Sequence, residues 1–127
     1  MRSGTAIGRV RGLGSAKEGT HHWLNHRMTA CSNLLLMTWL LIAVARLGHY
    51  DYAAVRAWLQ SAWVAIPMLL LIVSVFYHFR LGLQVVIEDY QTDASRVILL
   101  FLLNFFTVTA AGIAIFSILK VAFGSAA

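Results

Sequence analysis

Residues 77–90, YHFRLGLQVVIEDY, contain side chains that bring chemistry into an apolar segment. The imidazole of His78 is a common metal ligand and an axial ligand for haem iron. Gly82 lies one helical turn away and has no side chain, so it leaves room for a flat group beside His78 or for close packing of another helix. Asp89 and Tyr90 end the segment with groups that can donate, accept or relay protons.

The depth of His78 favours a functional role. It lies about 15 Å of helix from the acidic end of its apolar run, which places it within the hydrocarbon layer of a bilayer. Ionisable residues at that depth are costly and usually functional. The alternative is a neutral imidazole that hydrogen-bonds a neighbouring helix. Tyr90 is likewise either an interfacial anchor or a donor to a ligand in the headgroup layer, with Asp89 beside it.

The other histidines are predicted to lie at different depths. His21, His22 and His26 fall at the inner membrane boundary, and His49 falls in the outer loop. No second histidine is therefore expected at the depth of His78. A haem held by two imidazoles would need its second ligand from another chain.

The composition indicates an integral membrane protein. Of 127 residues, 60% are hydrophobic and only 12% are charged, which is too much apolar surface for a small soluble domain to bury. The sequence predicts an all-α protein with three transmembrane helices that forms part of a multi-subunit helix bundle. An N-terminal tail (1–20) precedes the membrane domain (21–127), whose spans are predicted at about 26–47, 61–88 and 97–122.

Charge and cysteine content narrow the function classes. Five basic residues precede the first apolar run against one acid: Arg2, Arg9, Arg11, Lys17 and Arg27 against Glu18. This asymmetry is typical of a cytoplasmic N-terminus and places the C-terminus in the periplasm; nucleic-acid binding is the less favoured interpretation. The single cysteine, Cys31, allows neither an internal disulfide nor an iron–sulfur cluster.

Residues 78–90 follow the pattern H-x3-G-x6-D-Y, and residues 15–30 read SAKEGTHHWLNHRMTA. Both segments resemble the D-type hydrophobic membrane-anchor subunit of succinate dehydrogenase (respiratory complex II), particularly its alphaproteobacterial members. The resemblance extends over about residues 12–123 and includes the layout of three spans.

The resemblance implies a role for each matching residue. His78 corresponds to the axial ligand of haem b, with the other ligand supplied by a C-type anchor subunit. Tyr90 corresponds to the tyrosine that hydrogen-bonds ubiquinone, and Asp89 to the acid beside that site. Arg27 and, more loosely, His21 correspond to residues near the haem propionates. Arg80 departs from the pattern, since some relatives carry an aromatic residue there.

The resemblance also implies the cellular context. The chain would anchor succinate:ubiquinone oxidoreductase in the bacterial inner membrane and help deliver electrons from succinate to ubiquinone. It would contribute to the quinone site without holding the catalytic centre. FAD and the iron–sulfur clusters would belong to partner subunits, a flavoprotein and an iron–sulfur protein.

Three alternatives remain open. The chain could anchor a fumarate reductase or another b-type cytochrome complex, which would share the membrane histidine. It could be a structural membrane subunit without a cofactor. A small transporter is a third class, although its pathway would need more polar residues than these spans offer.

Overall fold

The computed structural model describes residues 5–7 and 19–124. Residues 19–124 form four helices: α1 (Gly19–Ala45), α2 (Tyr52–Gln60), α3 (Ala62–Tyr90) and α4 (Asp93–Phe123). The predicted all-α class is confirmed. Most of the basic tail lies outside the described residues, including Arg2, Arg9, Arg11 and Lys17.

Three of the helices are long and apolar enough to cross a membrane, as the sequence predicted. Helices α1, α3 and α4 contain 27, 29 and 31 residues, so each extends over about 40–47 Å. The hydrocarbon core of a bilayer is about 30 Å thick. Each helix therefore has turns to spare beyond the hydrocarbon, and the chain is a multi-pass membrane protein.

The helices extend beyond the apolar runs from which their spans were predicted. Helix α1 begins at Gly19 rather than near residue 26, and α4 begins at Asp93 rather than near residue 97. Hydropathy detects only the part of a helix that faces lipid, whereas the backbone hydrogen bonds continue through polar turns. The first two turns of α1 thus hold three histidines on a regular helix.

Helix α3 lies between its two long neighbours. It packs against α1 on one side and against α4 on the other, and among the described residues α1 and α4 do not touch. Its buried side chains include Leu71, Leu81 and Ile87, and the buried residues of α4 are Leu103 and Thr107. No residue of α1 is buried. Much of the apolar surface is therefore left for lipid or for other chains.

The short helix α2 connects α1 to α3 at the end opposite the acidic end of α3. The Asp51 carboxylate caps it by accepting the Ala54 N–H at 3.4 Å. Arg56 and Gln60 both donate to the Gly124 carbonyl, at 3.4 Å and 3.1 Å. These contacts hold α2 against the C-terminal end of α4.

Candidate functional site

Polar side chains join α1 to α3 along one face of each helix. The hydroxyl oxygen of Thr29 lies 2.9 Å from Nδ1 of His78. One helical turn nearer the start of α1, the Asn25 amide donates to the Tyr77 hydroxyl at 3.4 Å. Because Asn25 and Thr29 are four residues apart, they share a face, and that face meets the neighbouring positions 77 and 78. We call this contact the polar seam.

His26 also belongs to the polar seam. Its ring centre lies 4.5 Å from that of His78, with an angle of 33° between the ring planes. The expectation that no second histidine lies at the depth of His78 is therefore wrong. The apolar run alone placed His26 at the boundary, but α1 begins earlier and is packed so that this ring reaches His78.

The stacked histidines are not arranged as an axial pair. Two imidazoles that bind one iron end-on are separated by two metal–nitrogen bonds of about 2 Å each and by the ring radii, roughly 6 Å between centres. The rings of His26 and His78 instead lie partly face to face at 4.5 Å. The geometry within this chain thus leaves the need for a second ligand from elsewhere unchanged.

Gly82 adjoins the same histidine. A Cβ built on Gly82 would lie 3.9 Å from Nε2 of His26, which is an ordinary contact distance. The space beside His78 that the sequence assigned to a flat group or to close helix packing is thus next to the His26 ring. A methyl group at position 82 would therefore fit against this ring without moving it.

An open groove with a volume of about 800 Å³ begins beside the polar seam. Its polar lining comes mainly from the first turns of α1 and the last turns of α3: His21, His22, Asn25, His26, Tyr77, Arg80, Gln84 and Glu88. His22 is notable because its Nε2 is buried and has no hydrogen-bond partner among the described residues. A buried polar atom without a partner favours a ligand or another chain at this position.

Arg80 links the groove to α4. Its Nε donates to the Oδ1 of Asn104, and the Asn104 amide nitrogen donates to the Leu100 carbonyl at 2.7 Å. The amide is thereby held with its oxygen towards Arg80. The sequence analysis assigned Arg80 no role, although an arginine on one span and an asparagine on the next were a signal for such a pair.

Glu88 supplies a carboxylate at the groove. Gln84 donates to its Oε1 at 2.9 Å, and the Arg96 guanidinium lies 3.8 Å from the same oxygen. Arg96 comes from the first turn of α4, so this pair crosses the tight connection between α3 and α4. Sequence reasoning considered Asp89 at this end and missed Glu88.

Of the five predicted site residues, four do not line the groove: Arg27, His78, Asp89 and Tyr90. The Arg27 guanidinium lies over the Trp23 ring, 5.2 Å from its centre. Asp89 is exposed, and Tyr90 is 80% exposed at the last position of α3. Of the predicted residues, the structure therefore brings His21 to the groove and places His78 against its His26 wall.

The described residues contain no group of three or more histidine, cysteine, aspartate or glutamate side chains that could hold a metal ion. That arrangement is typical of zinc sites. Haem iron needs only one or two axial side chains from the protein. The finding therefore concerns clustered metal sites and not the ligand prediction for His78.

Comparison with known proteins agrees with this layout. Residues 1–111 match the family described as the succinate dehydrogenase/fumarate reductase transmembrane subunit. A succinate dehydrogenase hydrophobic membrane anchor subunit from Rickettsia bellii is 34% identical over 114 residues, which cover 87% of this chain and 91% of that protein.

Two further relatives carry the same name. The protein from Rickettsia conorii is 31% identical over 87% of this chain and 91% of its own length. The protein from Paracoccus denitrificans is 31% identical over 76% of this chain and 74% of its own length. No solved structure matches the chain. With its three spans and a family match over most of its length, the chain belongs to the succinate dehydrogenase/fumarate reductase transmembrane subunit family, as a hydrophobic membrane anchor.

Proposed function

We propose that this chain anchors a succinate:ubiquinone oxidoreductase in the bacterial inner membrane and that His78 is one axial ligand of a haem b. The second axial ligand comes from a C-type anchor subunit. The observation that carries the proposal is the position of His78: on a membrane span, bonded through Nδ1 to α1, and next to a groove rich in histidine. A cofactor-free bundle has no need of such a cluster.

The residues present suit a haem. Among the described residues, the hydrogen bonds of His78 use only Nδ1, so Nε2 is the nitrogen available to iron. The unpartnered Nε2 of His22 and the guanidinium of Arg80 line the groove, and both suit the carboxylates of haem propionates. His21 lines the groove too, whereas Arg27 stays a prediction because it lies over Trp23. Haem b, when bound, supplies a one-electron redox centre within the membrane.

The quinone site is proposed at the end of α3. The Tyr90 phenol would donate a hydrogen bond to a ubiquinone carbonyl, and Asp89 would orient that donor or relay a proton. Both side chains are exposed in the isolated chain, which leaves them accessible to a quinone and to partner subunits. We place this end, with the N-terminus, on the cytoplasmic side and the C-terminus in the periplasm.

Succinate oxidation itself would take place on partner subunits. A flavoprotein would hold FAD and an iron–sulfur protein would hold the clusters, because the one cysteine of this chain cannot hold a cluster. This chain would fix the position of the quinone and haem sites in the bilayer. The family description also names fumarate reductase, but the relatives compared above are succinate dehydrogenase anchors.

A tagged chain tests the proposal directly. We expect a flavoprotein, an iron–sulfur protein and a second anchor to co-purify with it from membranes. We also expect the reduced-minus-oxidised optical spectrum of the complex to show a b-type haem. Co-purification without succinate oxidation, or with none of these subunits, would contradict the proposal.

A cofactor-free structural anchor is the second candidate. The observation in its favour is that Thr29 already satisfies one nitrogen of His78, as a neutral imidazole between helices requires. This candidate predicts an assembled complex without haem absorbance and with unchanged quinone reduction after replacement of His78. The optical spectrum of the wild-type complex separates the two.

A further inference from the structure

We propose that Thr29 is the positioning residue for the haem ligand His78. Its hydroxyl oxygen accepts the Nδ1–H of His78 and thereby holds the ring in the tautomer whose Nε2 carries a free lone pair. This inference rests on the proposed function, because it assigns a partner to the ligand proposed there. It adds a residue that contacts the ligand itself to the α1 residues already proposed for the propionates.

The number of hydrogens available around the Thr29 hydroxyl decides which atom donates and which accepts between Thr29 and His78. Its Oγ1 lies 2.8 Å from the Asn25 carbonyl oxygen, 3.1 Å from the His26 carbonyl oxygen and 2.9 Å from Nδ1 of His78. Carbonyl oxygens only accept, and a hydroxyl has one hydrogen to donate. The arrangement that satisfies all three atoms sends this hydrogen to the carbonyls and leaves a lone pair for an Nδ1–H.

The opposite assignment is less favourable. If Thr29 donated to Nδ1, its oxygen would face the Asn25 carbonyl at 2.8 Å without a hydrogen between them. His78 would then carry its hydrogen on Nε2, the nitrogen that must be free to bind iron. The observed distances therefore select the tautomer that can act as a ligand.

Other hydroxyls on α1 show what is special about Thr29. Ser32 and Thr38 also donate to the carbonyl four residues earlier, at 2.9 Å and 2.7 Å, a common arrangement in membrane helices. Within the described part of the chain, neither hydroxyl bonds another helix. Thr29 makes the same bond within α1, and its remaining lone pair faces Nδ1 of His78 on α3. The bond within α1 therefore fixes the Thr29 rotamer independently of His78.

Loss of this partner would act on the ligand in two ways. An unpaired N–H in the membrane interior is costly, so the ring would turn towards another acceptor. The donated hydrogen bond also raises the electron density of Nε2, which favours ferric over ferrous iron. Removal of the acceptor should therefore loosen the haem and raise its midpoint potential.

The experiment compares Thr29→Val, which keeps the branched shape, with Thr29→Ser, which keeps the hydroxyl, in the complex purified through this chain. Thr38→Val is the matched control, because it removes a hydroxyl that donates to the Leu34 carbonyl of its own helix. The measurements are haem content, the optical redox titration and the low-spin ferric EPR spectrum, which reports the orientation of the axial rings. His78→Leu is measured in parallel.

We expect Thr29→Val to weaken haem retention by about 10-fold, raise the midpoint potential and alter the EPR spectrum. Thr29→Ser and Thr38→Val should match the wild type. An unchanged spectrum and potential in Thr29→Val, with the signal abolished in His78→Leu, would overturn this inference and leave the proposed function intact.

Two other outcomes also decide the question. Loss of the whole complex in both Thr29→Val and Thr29→Ala, but not in Thr29→Ser, would overturn the inference by giving the hydroxyl a role in assembly. A wild-type haem signal in His78→Leu would overturn the proposed function itself, and the role of Thr29 with it.

Discussion

The two sides of α3 hold their neighbours by different means. Towards α1, the polar seam joins Asn25, Thr29 and His26 to Tyr77 and His78. Towards α4, the contact is mainly apolar, which we call the apolar seam. It contains the edge-to-face pair of Phe79 and Phe106, with ring centres 6.4 Å apart, and the buried Leu103.

Under the proposed function, this difference separates contacts for assembly from contacts around the haem ligand. In lipid, helices associate through packing and a few hydrogen bonds, because apolar surface gains little from leaving an equally apolar solvent. The apolar seam meets this need with aromatic and aliphatic contacts and one polar pair. The polar seam contains more polar groups than packing requires, and it adjoins the groove. Neighbouring residues of α3, His78 and Phe79, thus contact different helices, α1 and α4.

The largest expected effect comes from His78→Leu. This change should abolish the b-type haem signal while the complex still assembles, because the apolar seam is intact. The optical spectrum of the purified complex measures the haem signal, and its subunit content measures assembly. Phe79→Leu is the control from the next position, and it should keep the haem signal. Equal loss of haem in both variants would contradict the division between the seams.

The next largest expected effect is that of Tyr90→Phe, which should lower the rate of quinone reduction. Removal of one hydrogen-bond donor to the quinone costs on the order of 10-fold in rate, whereas reduction of artificial dyes by the partner subunits should stay unchanged. Steady-state assays with quinone and with an artificial dye as the electron acceptor measure the ratio of the two rates. Tyr50→Phe is the control, since this phenol lies in the connection between α1 and α2 and donates to the Val44 carbonyl, away from the end of α3 that carries Tyr90. Unchanged quinone turnover in Tyr90→Phe would exclude the phenol from the site.

Asn104→Leu tests the polar pair within the apolar seam. It removes the acceptor of the Arg80 Nε–H, and we expect a loss of stability of about 1 kcal/mol. Thermal inactivation of the complex in detergent measures the loss. When Arg80→Leu is already present, adding Asn104→Leu should lower the stability by less than it does in the wild type. In that background no guanidinium is left unpaired. Additive losses would show that the two side chains act independently.

The smallest expected effect is that of Arg96→Gln. Its guanidinium lies 3.8 Å from the Glu88 carboxylate, and the two side chains are 45% and 34% exposed. Solvent-accessible ion pairs of this kind contribute less than about 1 kcal/mol. We expect no more than a small change in thermal inactivation, and haem content equal to the wild type. A loss as large as that of Asn104→Leu would mean that the Glu88 carboxylate is far less solvated than its exposure indicates.

Part of this architecture was predictable from local pattern. The three spans and the position of His78 on the second of them follow from hydropathy and residue type. Asn104 is a polar side chain on a membrane span, and it bonds another helix through Arg80. The contacts of His26 and Thr29 were not predicted. They depend on how far α1 is rotated and shifted along α3.

The sequence by itself determined that this chain is a three-span membrane protein with an imidazole in the second span, because apolar length and residue type are local properties. Only the tertiary structure decided that Thr29 bonds His78, that the His26 ring lies against it and that Arg80 connects the groove to α4. Helices in lipid can rotate about their axes and slide past one another with little change in buried apolar area. A few polar contacts and close approaches therefore set their relative positions, and these depend on both helices at once.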